Sequence, residues 1–281
     1  MNEQQQAILD EQKKTWNKVS NSWKKWDEFT MNFLKPMGDA LIKALDIKSH
    51  DVVLDIASGT GEPAFSIAAI AKNGKVYATD LSEEMLTIAR TYARERDINN
   101  VEFKVADVSN LPFNDTFFDK ISCRMGFMFF PDMQLAANEM FRVCRNAGKV
   151  ATSVWAGPEN NEWITLMSKV LSNHLEMPQP PPGAPGMFRC ARPGFIKELF
   201  EKAGFKNVKE EVVSDKIDYG SAEEYWQFMT EVVAPVVNAL SKTDEPTRKK
   251  IKEELFTACN NMLINGKLII ADSAFIIWGE K

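Results

Sequence analysis

Short apolar runs alternate with stretches of helical periodicity through the first half of the chain. Residues 52–56 form an apolar run rich in branched side chains, which predicts a strand buried on both faces. A turn with two glycines follows, and the apolar spacing of 64–71 predicts a buried helix. Further strands are predicted at 75–80, 101–105, 118–123 and 149–155, with helices between them. This alternation predicts an α/β protein with a doubly wound, mostly parallel sheet.

The pattern changes after Gly157. Helices are predicted at 162–177, 193–203, 222–233 and 247–262, and strands at 208–217 and 267–278. A proline-rich run at 178–186 cannot form regular structure. Apolar and polar residues alternate over 208–217, as is typical of an antiparallel strand at the edge of a sheet. The helices at 222–233 and 247–262 lie between this strand and the last one. We therefore expect a seven-stranded sheet with a helical cap inserted in its C-terminal part.

Aromatic residues recur near helical spacing ahead of the first predicted strand. The stripe consists of Trp16, Trp23 and Trp26, together with Val19 and Ser20. Such a stripe is typical of helix packing, and the alternative is a set of side chains that contact a ligand. The preceding residues 1–13 are polar and Gln-rich, and we expect them to fray.

The turn after the first strand carries a nucleotide-binding pattern. Gly59, Gly61 and Ala64 satisfy the spacing G-x-G-x-x-G/A between a strand and a helix. Because glycine has no side chain, a ligand can approach the main chain closely there. Asp55, at the end of the strand, can accept hydrogen bonds from a cationic or N–H-bearing ligand. The alternative is a tight β–α turn that binds nothing.

The first three predicted strands each end in an aspartate. Asp80 ends the second strand, about 20 residues after the glycines, the spacing of a carboxylate that binds ribose hydroxyls. Asp107 follows the third strand, and Asp55 closes the first. Because the carboxyl ends of parallel strands meet at one edge of a sheet, we expect the three acids to lie together.

An unusually apolar stretch follows the fourth predicted strand. Residues 124–130 read Arg-Met-Gly-Phe-Met-Phe-Phe at a point where the chain should be leaving the core. Arg124, Met125 and Phe127 are therefore candidates for the floor of a binding site, with core packing as the alternative. Loops placed after a sheet often contact substrate, so Met187 and Phe188, which follow the proline-rich run, are further candidates.

Composition narrows the classes of function. The 281 residues allow one large domain, or one domain with an insertion, and 44% of them are hydrophobic. The net charge of −5 argues against a nucleic-acid partner. Four scattered cysteines and two distant histidines suggest neither a disulfide framework nor a metal site. We see no signal peptide and no apolar run long enough to span a bilayer, so we expect a cytoplasmic protein without stable membrane insertion.

Four segments together resemble a known enzyme family. LDIASGTGEP, ATDLSEEML, ADVSNLPFNDTFFD and EMFRVCRNAGK, in this order, resemble the class I S-adenosylmethionine-dependent methyltransferases, which have a Rossmann-like sheet. The branch with the ubiquinone and menaquinone C-methyltransferases is the most similar, and the resemblance covers roughly residues 15–155. The turn Arg145-Asn146-Ala147-Gly148 departs from the Pro-Gly-Gly expected of the family.

The resemblance implies a set of contacts to S-adenosyl-L-methionine. Asp55, Gly59 and Gly61 would face the methionine part, and Asp80 would bind the ribose hydroxyls. Leu81 or Met85 would lie against the adenine ring. Asp107 would accept a hydrogen bond from the adenine amino group, with help from the main chain of Ala106 and Val108. Trp23 would belong to a lid. The full set of candidate cofactor-binding residues is Asp55, Ala57, Gly59, Gly61, Asp80, Leu81, Met85, Ala106, Asp107, Val108, Arg124 and Trp23.

The chain would accordingly divide into three parts. Residues 1–47 would form an N-terminal helical lid segment, 48–156 the Rossmann-like cofactor-binding core, and 157–281 the acceptor-site loop and helical cap, with the last strands completing the sheet. The methyl acceptor would be a small molecule, apolar or aromatic, because the candidate lid and floor are rich in Trp, Phe and Met and poor in cations.

No catalytic base is evident from the sequence. A methyl group on a sulfonium is already activated, so the enzyme need only align an acceptor with it and exclude water. The candidate bases are His174, Tyr225, Asp132 and Glu162, and none is assigned. Two other classes stay open: a nicotinamide-dependent oxidoreductase, and a non-catalytic adenosyl-binding protein. Against the former, Asp55 stands where the dinucleotide motif prefers an apolar residue, and Asp107 has no role in it.

Overall fold

The computed structural model describes residues 2–176 and 184–281 and shows a sheet flanked by helices. The strands are β1 (Val52–Ile56), β2 (Lys75–Asp80), β3 (Val101–Val105), β4 (Phe118–Arg124), β5 (Cys144–Trp155), β6 (Lys206–Asp218) and β7 (Ile269–Glu280). The α-helices in the described residues are α1 (Glu3–Lys25), α2 (Asp27–Leu45), α3 (Ala64–Ile70), α4 (Glu83–Glu95), α5 (Met133–Val143), α6 (Glu162–His174), α7 (Phe195–Ala203), α8 (Ala222–Val232), α9 (Ala234–Leu240) and α10 (Glu245–Asn260). None of these described helices is both long enough and apolar enough to cross a bilayer. The cytoplasmic location stays a prediction.

The seven strands follow the order β3-β2-β1-β4-β5-β7-β6. Strand β1 pairs in parallel with β2 and β4, so that Leu54 lies opposite Tyr77 on one side and Ile121 on the other. Strand β7 runs antiparallel to both β5 and β6. The predicted doubly wound, mostly parallel sheet is therefore confirmed. Its order reverses between β1 and β4, where open α/β sheets bind ligands beyond the carboxyl ends of the strands.

Side-chain caps set where the helices begin after the strand tips. The Ser82 hydroxyl accepts a hydrogen bond from the Met85 N–H at 3.1 Å and starts α4. The Asp132 carboxylate accepts one from the Leu135 N–H at 2.9 Å and starts α5. Each cap satisfies an N–H group that the first helical turn would otherwise leave unpaired. The chain therefore leaves the sheet edge at defined points.

The described N-terminal residues are helical from Glu3 onward, within the segment that was expected to fray. Helix α1 begins at Glu3, because Asn2 and Gln5 bond each other's main chain in a capping box at 2.8 and 2.9 Å. The Gln5 amide also donates to the Asp132 carboxylate at 3.0 Å. Within α1, only Val19 and Ser20 are buried.

Two further boundaries differ from the sequence prediction. Strand β5 begins at Cys144 rather than Lys149, because the expected turn at 145–148 is a bulge inside the strand: Ala147 has a φ of 62° and the pairing with β4 shifts there. Helix α9, which contains Pro235, was not predicted from the sequence. Pro235 lies in the first turn, where a missing N–H costs nothing.

The cap helices α8, α9 and α10 lie between β6 and β7 in the chain. The two ends of this segment meet, because the Tyr219 N–H donates to the Leu268 carbonyl at 2.9 Å and the Leu268 N–H donates to the Gly220 carbonyl at 3.1 Å. Helix α8 packs against α1, and α10 packs against α6 and α8. The buried Tyr225 of α8 and Leu255 of α10 belong to the same apolar cluster as the sheet residue Ile121. The cap therefore shares one core with the sheet.

The helix predicted over 162–177 ends earlier, at His174, because Leu175 adopts an extended conformation. Met177 and most of the proline-rich run lie at 177–183, outside the described residues.

Candidate functional site

A cavity of about 450 Å³ lies at the carboxyl ends of β1, β2 and β4. One part of its wall, the strand-tip half, consists of residues 57–60, 79–81, Met85 and 106–108. The other part, the aromatic half, includes Trp16, Trp23, Phe33, Phe129, Phe130, Trp155, Trp163 and Phe228. Arg124 and Met125, at the tip of β4, also line the cavity. The cavity thus occupies the crevice that the strand order predicts.

The glycine turn opens onto the cavity at Gly59 but not at Gly61. Ala57 and Gly59 both have a φ of 55°, and the Ser58 N–H donates to the Thr79 carbonyl at 2.9 Å, which fixes the turn against β2. A Cβ atom added to Gly59 would meet no atom within 4 Å, so this position leaves space beside the main chain. A Cβ atom on Gly61 would collide with the Phe65 ring, and Gly61 is not part of the wall. Gly61 is therefore needed to pack the turn on α3.

Asp80 lines the cavity and holds the turn in place. Its carboxylate accepts hydrogen bonds from the Gly59 N–H at 2.9 Å and from the Ser82 N–H at 2.8 Å. Burial raises the pKa of the Asp80 carboxyl, and these N–H donors act in the opposite direction. Each carboxylate oxygen has two lone pairs, so the group can accept further bonds from a hydroxyl-bearing ligand.

The tip of β3 supplies the next part of the wall. Asp107 accepts a hydrogen bond from the Ser109 N–H at 2.9 Å and starts a short 3₁₀ turn over Val108–Asn110. The Ala106 N–H donates to the Asp80 carbonyl at 3.0 Å, which joins this tip to β2. Leu81 and Met85 lie on the wall beside these two acids and provide apolar surface. The structure therefore brings together the predicted residues of β2 and β3.

Asp55 lies beneath the turn and not on the cavity wall, which corrects the expected direct contact. Its side chain is fully buried, and one carboxylate oxygen accepts a hydrogen bond from the Ser122 hydroxyl at 2.5 Å. The other oxygen has no partner among the described residues. Burial raises the pKa of Asp55 to about 7, against the lowering effects of Ser122 and Arg124. The register of β1 with β4 turns this side chain toward Ser122 inside the sheet.

Arg124 extends from the tip of β4 to the glycine turn. Its guanidinium donates to the Glu62 carbonyl at 2.8 Å and lies 3.9 Å from the Met31 sulfur of α2. Burial lowers the pKa of Arg124, whereas Glu62 and Asp55 raise it. The next residue, Met125, has a φ of 59° and is fixed by a hydrogen bond from its N–H to the Ser153 carbonyl at 3.0 Å.

Two of the four predicted substrate residues lie away from the cavity wall. Phe127 is fully buried, and its ring packs on Phe130 at 5.2 Å and on Phe200 at 5.6 Å. It is therefore core, because the 3₁₀ turn at Phe127–Phe129 directs it inward. Phe188 is partly buried against the same core and is likewise not on the wall. Met125 and Met187 do line the cavity.

The aromatic half was largely missed by the sequence analysis. Trp16 contacts Trp23 at 6.1 Å and Phe129 at 5.2 Å between ring centroids, both edge to face. Trp155 and Trp163 contact each other at 5.0 Å. The Trp23 indole N–H is buried without a partner among the described residues. The spacing of Trp16 and Trp23 along α1 was the available signal, whereas Phe33, Trp155, Trp163 and Phe228 meet only in the folded chain.

The four candidate bases do not line the cavity. His174 contacts the Glu254 carboxylate at 2.6 Å, and the Tyr225 hydroxyl donates to the Trp163 carbonyl at 2.8 Å. Asp132 caps α5, and Glu162 lies in the first turn of α6. The ionisable residues on the described wall are Glu11, Glu62, Asp80, Asp107 and Arg124.

Comparisons with known proteins agree with this geometry. A profile described as a methyltransferase domain matches residues 47–179. An uncharacterised protein of Mycobacterium tuberculosis is 30% identical over 237 residues, 83% of each chain. A demethylmenaquinone methyltransferase of Geobacillus sp. is 31% identical over 127 residues, which is 45% of this chain and 50% of that enzyme.

Solved structures give the same fold. A putative methyltransferase from Bacillus halodurans has a TM-score of 0.59 at 20% identity, covering 87% of this chain and 98% of that one. A phosphoethanolamine N-methyltransferase of Haemonchus contortus, solved with S-adenosylhomocysteine, has a TM-score of 0.52 at 16% identity, covering 87% of this chain and 52% of that one. The chain belongs to the class I S-adenosylmethionine-dependent methyltransferases. The oxidoreductase alternative is thereby set aside.

The wall residues fit S-adenosylmethionine as the cofactor. The open position at Gly59 leaves space against the main chain, and Asp80 and Asp107 present acceptors beside it. The hydroxyl of Ser58, also on the wall, is buried without a hydrogen-bond partner among the described residues. An unpaired polar group of this kind is costly unless a ligand completes it.

Proposed function

We propose that the enzyme methylates a small, apolar or aromatic molecule bound in the aromatic half of the cavity. The observation that supports this proposal is the composition of the wall. Outside the strand-tip half, the ionisable wall residues described by the structure are Glu11, Glu62 and Arg124. The sequence at 177–183 contains no ionisable side chain either. A wall of this kind favours an acceptor with apolar rings over a phosphorylated or polyanionic one.

In this proposal the strand-tip half binds S-adenosylmethionine, which supplies a methyl group already activated by its sulfonium. Asp80 accepts hydrogen bonds from the ribose hydroxyls, and Asp107, with the main chain of Ala106 and Val108, binds the adenine. Leu81 and Met85 pack against the adenine ring. Ala57 and Gly59 leave the main chain open to the methionine part, while Gly61 and Asp55 support this turn from outside the cavity.

The acceptor side is assigned to the two ends of the chain. Residues 1–47 act as a lid, since Trp16 and Trp23 of α1 lie on the wall, and residues 157–281 supply Met187 and the cap. Met125 stands between the halves, at the tip of β4. These apolar side chains exclude water and hold the acceptor in line, and we assign no residue as its base.

The first test separates cofactor classes and then acceptor classes. We expect calorimetry to show binding of S-adenosylhomocysteine and none of NADH. Transfer from methyl-labelled cofactor should then occur to members of a panel of phenols and quinols, and be weaker for polar amines and thiols. Cofactor binding without transfer to any acceptor would favour the non-catalytic adenosyl-binding alternative.

A matched pair of variants tests the aromatic half itself. Phe129 lies on the wall, and Phe127, two residues earlier, lies in the core. Phe129→Leu should change the order of preference among acceptors with little effect on the melting temperature. Phe127→Leu should lower the melting temperature and leave the preference unchanged. An unchanged preference in Phe129→Leu would contradict the proposed acceptor site.

A further inference from the structure

Helix α1 contributes two different surfaces to the cavity. Its wall residues nearer the C-terminal end of the helix are Trp16 and Trp23, whereas those nearer the N-terminal end include Glu11, Gln12 and Thr15. Because an α-helix rises about 1.5 Å per residue, Glu11 and Trp23 stand roughly 18 Å apart along the helix axis. The cavity wall therefore changes from aromatic to polar along α1.

The aromatic end of α1 is the end nearer the strand tips. Helix α1 leads through Trp26 into α2, and the Met31 sulfur of α2 lies 3.9 Å from the Arg124 guanidinium at the tip of β4. The polar end lies toward the start of α5, because Gln5 donates to the Asp132 carboxylate at 3.0 Å. An acceptor that reacts beside the strand tips would therefore extend along α1 toward the polar end.

Helix α9 completes this polar end of the cavity. Asn238 of α9 lies on the wall, and α9 contacts α1. Glu11 and Asn238 are exposed, and Gln12 and Thr15 are half-buried, so the cavity meets solvent here. None of these four side chains hydrogen-bonds to another residue that the structure describes. We call the four residues the polar rim, and their polar groups are available to a ligand.

The polar rim carries one charge, the carboxylate of Glu11. No lysine or arginine belongs to the rim, and the segment 177–183 adds no charged side chain by sequence. Arg124, the cation on the described wall, lies at the tip of β4 and donates to the Glu62 carbonyl at 2.8 Å. A ligand tail with a carboxylate would be repelled by Glu11, whereas an ammonium or hydroxyl tail can donate a hydrogen bond to it.

We propose that the methyl acceptor is amphipathic, with an apolar ring in the aromatic half and a hydrogen-bond-donating tail, cationic or hydroxylated, at the polar rim. Glu11 selects against an anionic tail. This inference rests on the proposed function, because it takes the ring to lie in the aromatic half. Since Glu11 lies far from the transferred methyl group, it acts on the binding of the acceptor and not on the transfer step.

The test compares three phenols that share a ring and a two-carbon linker. Tyramine ends in an ammonium group, tyrosol in a hydroxyl group and 3-(4-hydroxyphenyl)propionate in a carboxylate. Transfer from methyl-labelled cofactor gives KM and kcat for each phenol. We expect KM to rise in that order, about tenfold from the ammonium to the carboxylate, with kcat within about twofold. High ionic strength should reduce the difference in KM, because salt screens exposed charges.

Substitutions at Glu11 separate its charge from its bulk. Glu11→Lys should reverse the order of KM between tyramine and the propionate, and Glu11→Gln should bring the two to within about twofold of each other. Asp10→Lys is the matched control, because Asp10 is an exposed neighbour that does not lie on the wall and the substitution changes the charge equally. It should keep the wild-type order.

The possible failures are distinguishable. If all three phenols are methylated with equal KM, or if Glu11→Lys leaves their order unchanged, the inference fails and the proposed function stands. If Asp10→Lys reverses the order as fully as Glu11→Lys, the net charge of the protein sets the preference and the inference also fails. If S-adenosylhomocysteine binds but no phenol accepts a methyl group, the proposed acceptor class fails and the inference fails with it.

Discussion

The two halves of the cavity are built from different parts of the backbone. The strand-tip half comes from three short segments that each follow a neighbouring strand, and main-chain hydrogen bonds such as Gly59 N–H to Asp80 join them. The aromatic half comes from α1, α2, the turn after β4, the end of β5, α6 and α8, and ring contacts join its members. The first arrangement depends on backbone geometry, the second on side-chain size.

This difference has a functional meaning. A site built from main-chain groups keeps its geometry while side chains elsewhere change, which suits a ligand that stays the same. A site built from packed aromatic rings changes shape with each substitution, which suits a variable acceptor. Substitutions in the strand-tip half should therefore alter cofactor binding, and those in the aromatic half should alter acceptor choice.

The largest expected effect comes from Gly59→Val. The added side chain would occupy the open space beside the turn, and a β-branched residue at a φ of 55° is strained. We expect the Kd for S-adenosylhomocysteine to rise roughly 1000-fold, equivalent to about 4 kcal/mol, with the circular dichroism spectrum unchanged. Gly61→Ala is the matched control: it should lower stability through Phe65, with a smaller effect on affinity.

Asp55→Asn should change how stability depends on pH. The folded-state pKa of about 7 lies above the unfolded value, so the acid form of Asp55 stabilises the fold at low pH. In the wild-type protein this stabilisation is lost as pH rises from about 4 to about 7. An asparagine does not titrate, so the variant does not lose stability from this position. The unfolding free energy of the variant relative to wild type should therefore increase by up to about 4 kcal/mol between pH 4 and pH 8. A constant difference across that range would show that Asp55 is ionised in the fold.

Asp80→Ala should weaken cofactor binding by about 2 kcal/mol, or roughly 30-fold. The variant loses the acceptor for ribose and frees the Gly59 and Ser82 N–H groups. Titration with S-adenosylhomocysteine measures the effect. Asp80→Asn keeps one acceptor oxygen, so its affinity should lie between those of the wild-type protein and Asp80→Ala. Unchanged affinity in Asp80→Ala would refute its role.

Trp23→Ala, in the aromatic half of the cavity, should have a smaller effect on activity than the substitutions above. Removing the ring opens the aromatic half, so acceptor turnover or cofactor retention should fall about tenfold, equivalent to about 1.4 kcal/mol. Trp23→Phe keeps most of the apolar surface and tests the unpaired indole N–H separately. If Trp23→Ala lowers the melting temperature and changes neither turnover nor retention, Trp23 serves packing alone.

The sequence predicted the strand-tip half because its segments are local. A strand, a turn and an acid are contiguous in the chain, so Gly59, Asp80 and Asp107 could be located from spacing. The burial of Asp55 could not, because it depends on the register that places Ser122 opposite it. Phe127 and Phe129 could not be told apart either, since one short turn directs them to different sides. Phe33 and Trp155 contact each other only through long-range packing.

The meeting of Tyr219 and Leu268 at the base of the cap has an evolutionary consequence. The chain leaves the sheet and returns to it at one point, so residues 221–267 form one module between β6 and β7, although its helices share an apolar core with the sheet. We expect a chimera with this module from a relative to keep its affinity for S-adenosylhomocysteine, which titration checks, while it inherits the donor's acceptor range. Diversification of such enzymes can then proceed by swapping one excursion of the chain, with the adenosyl site inherited unchanged.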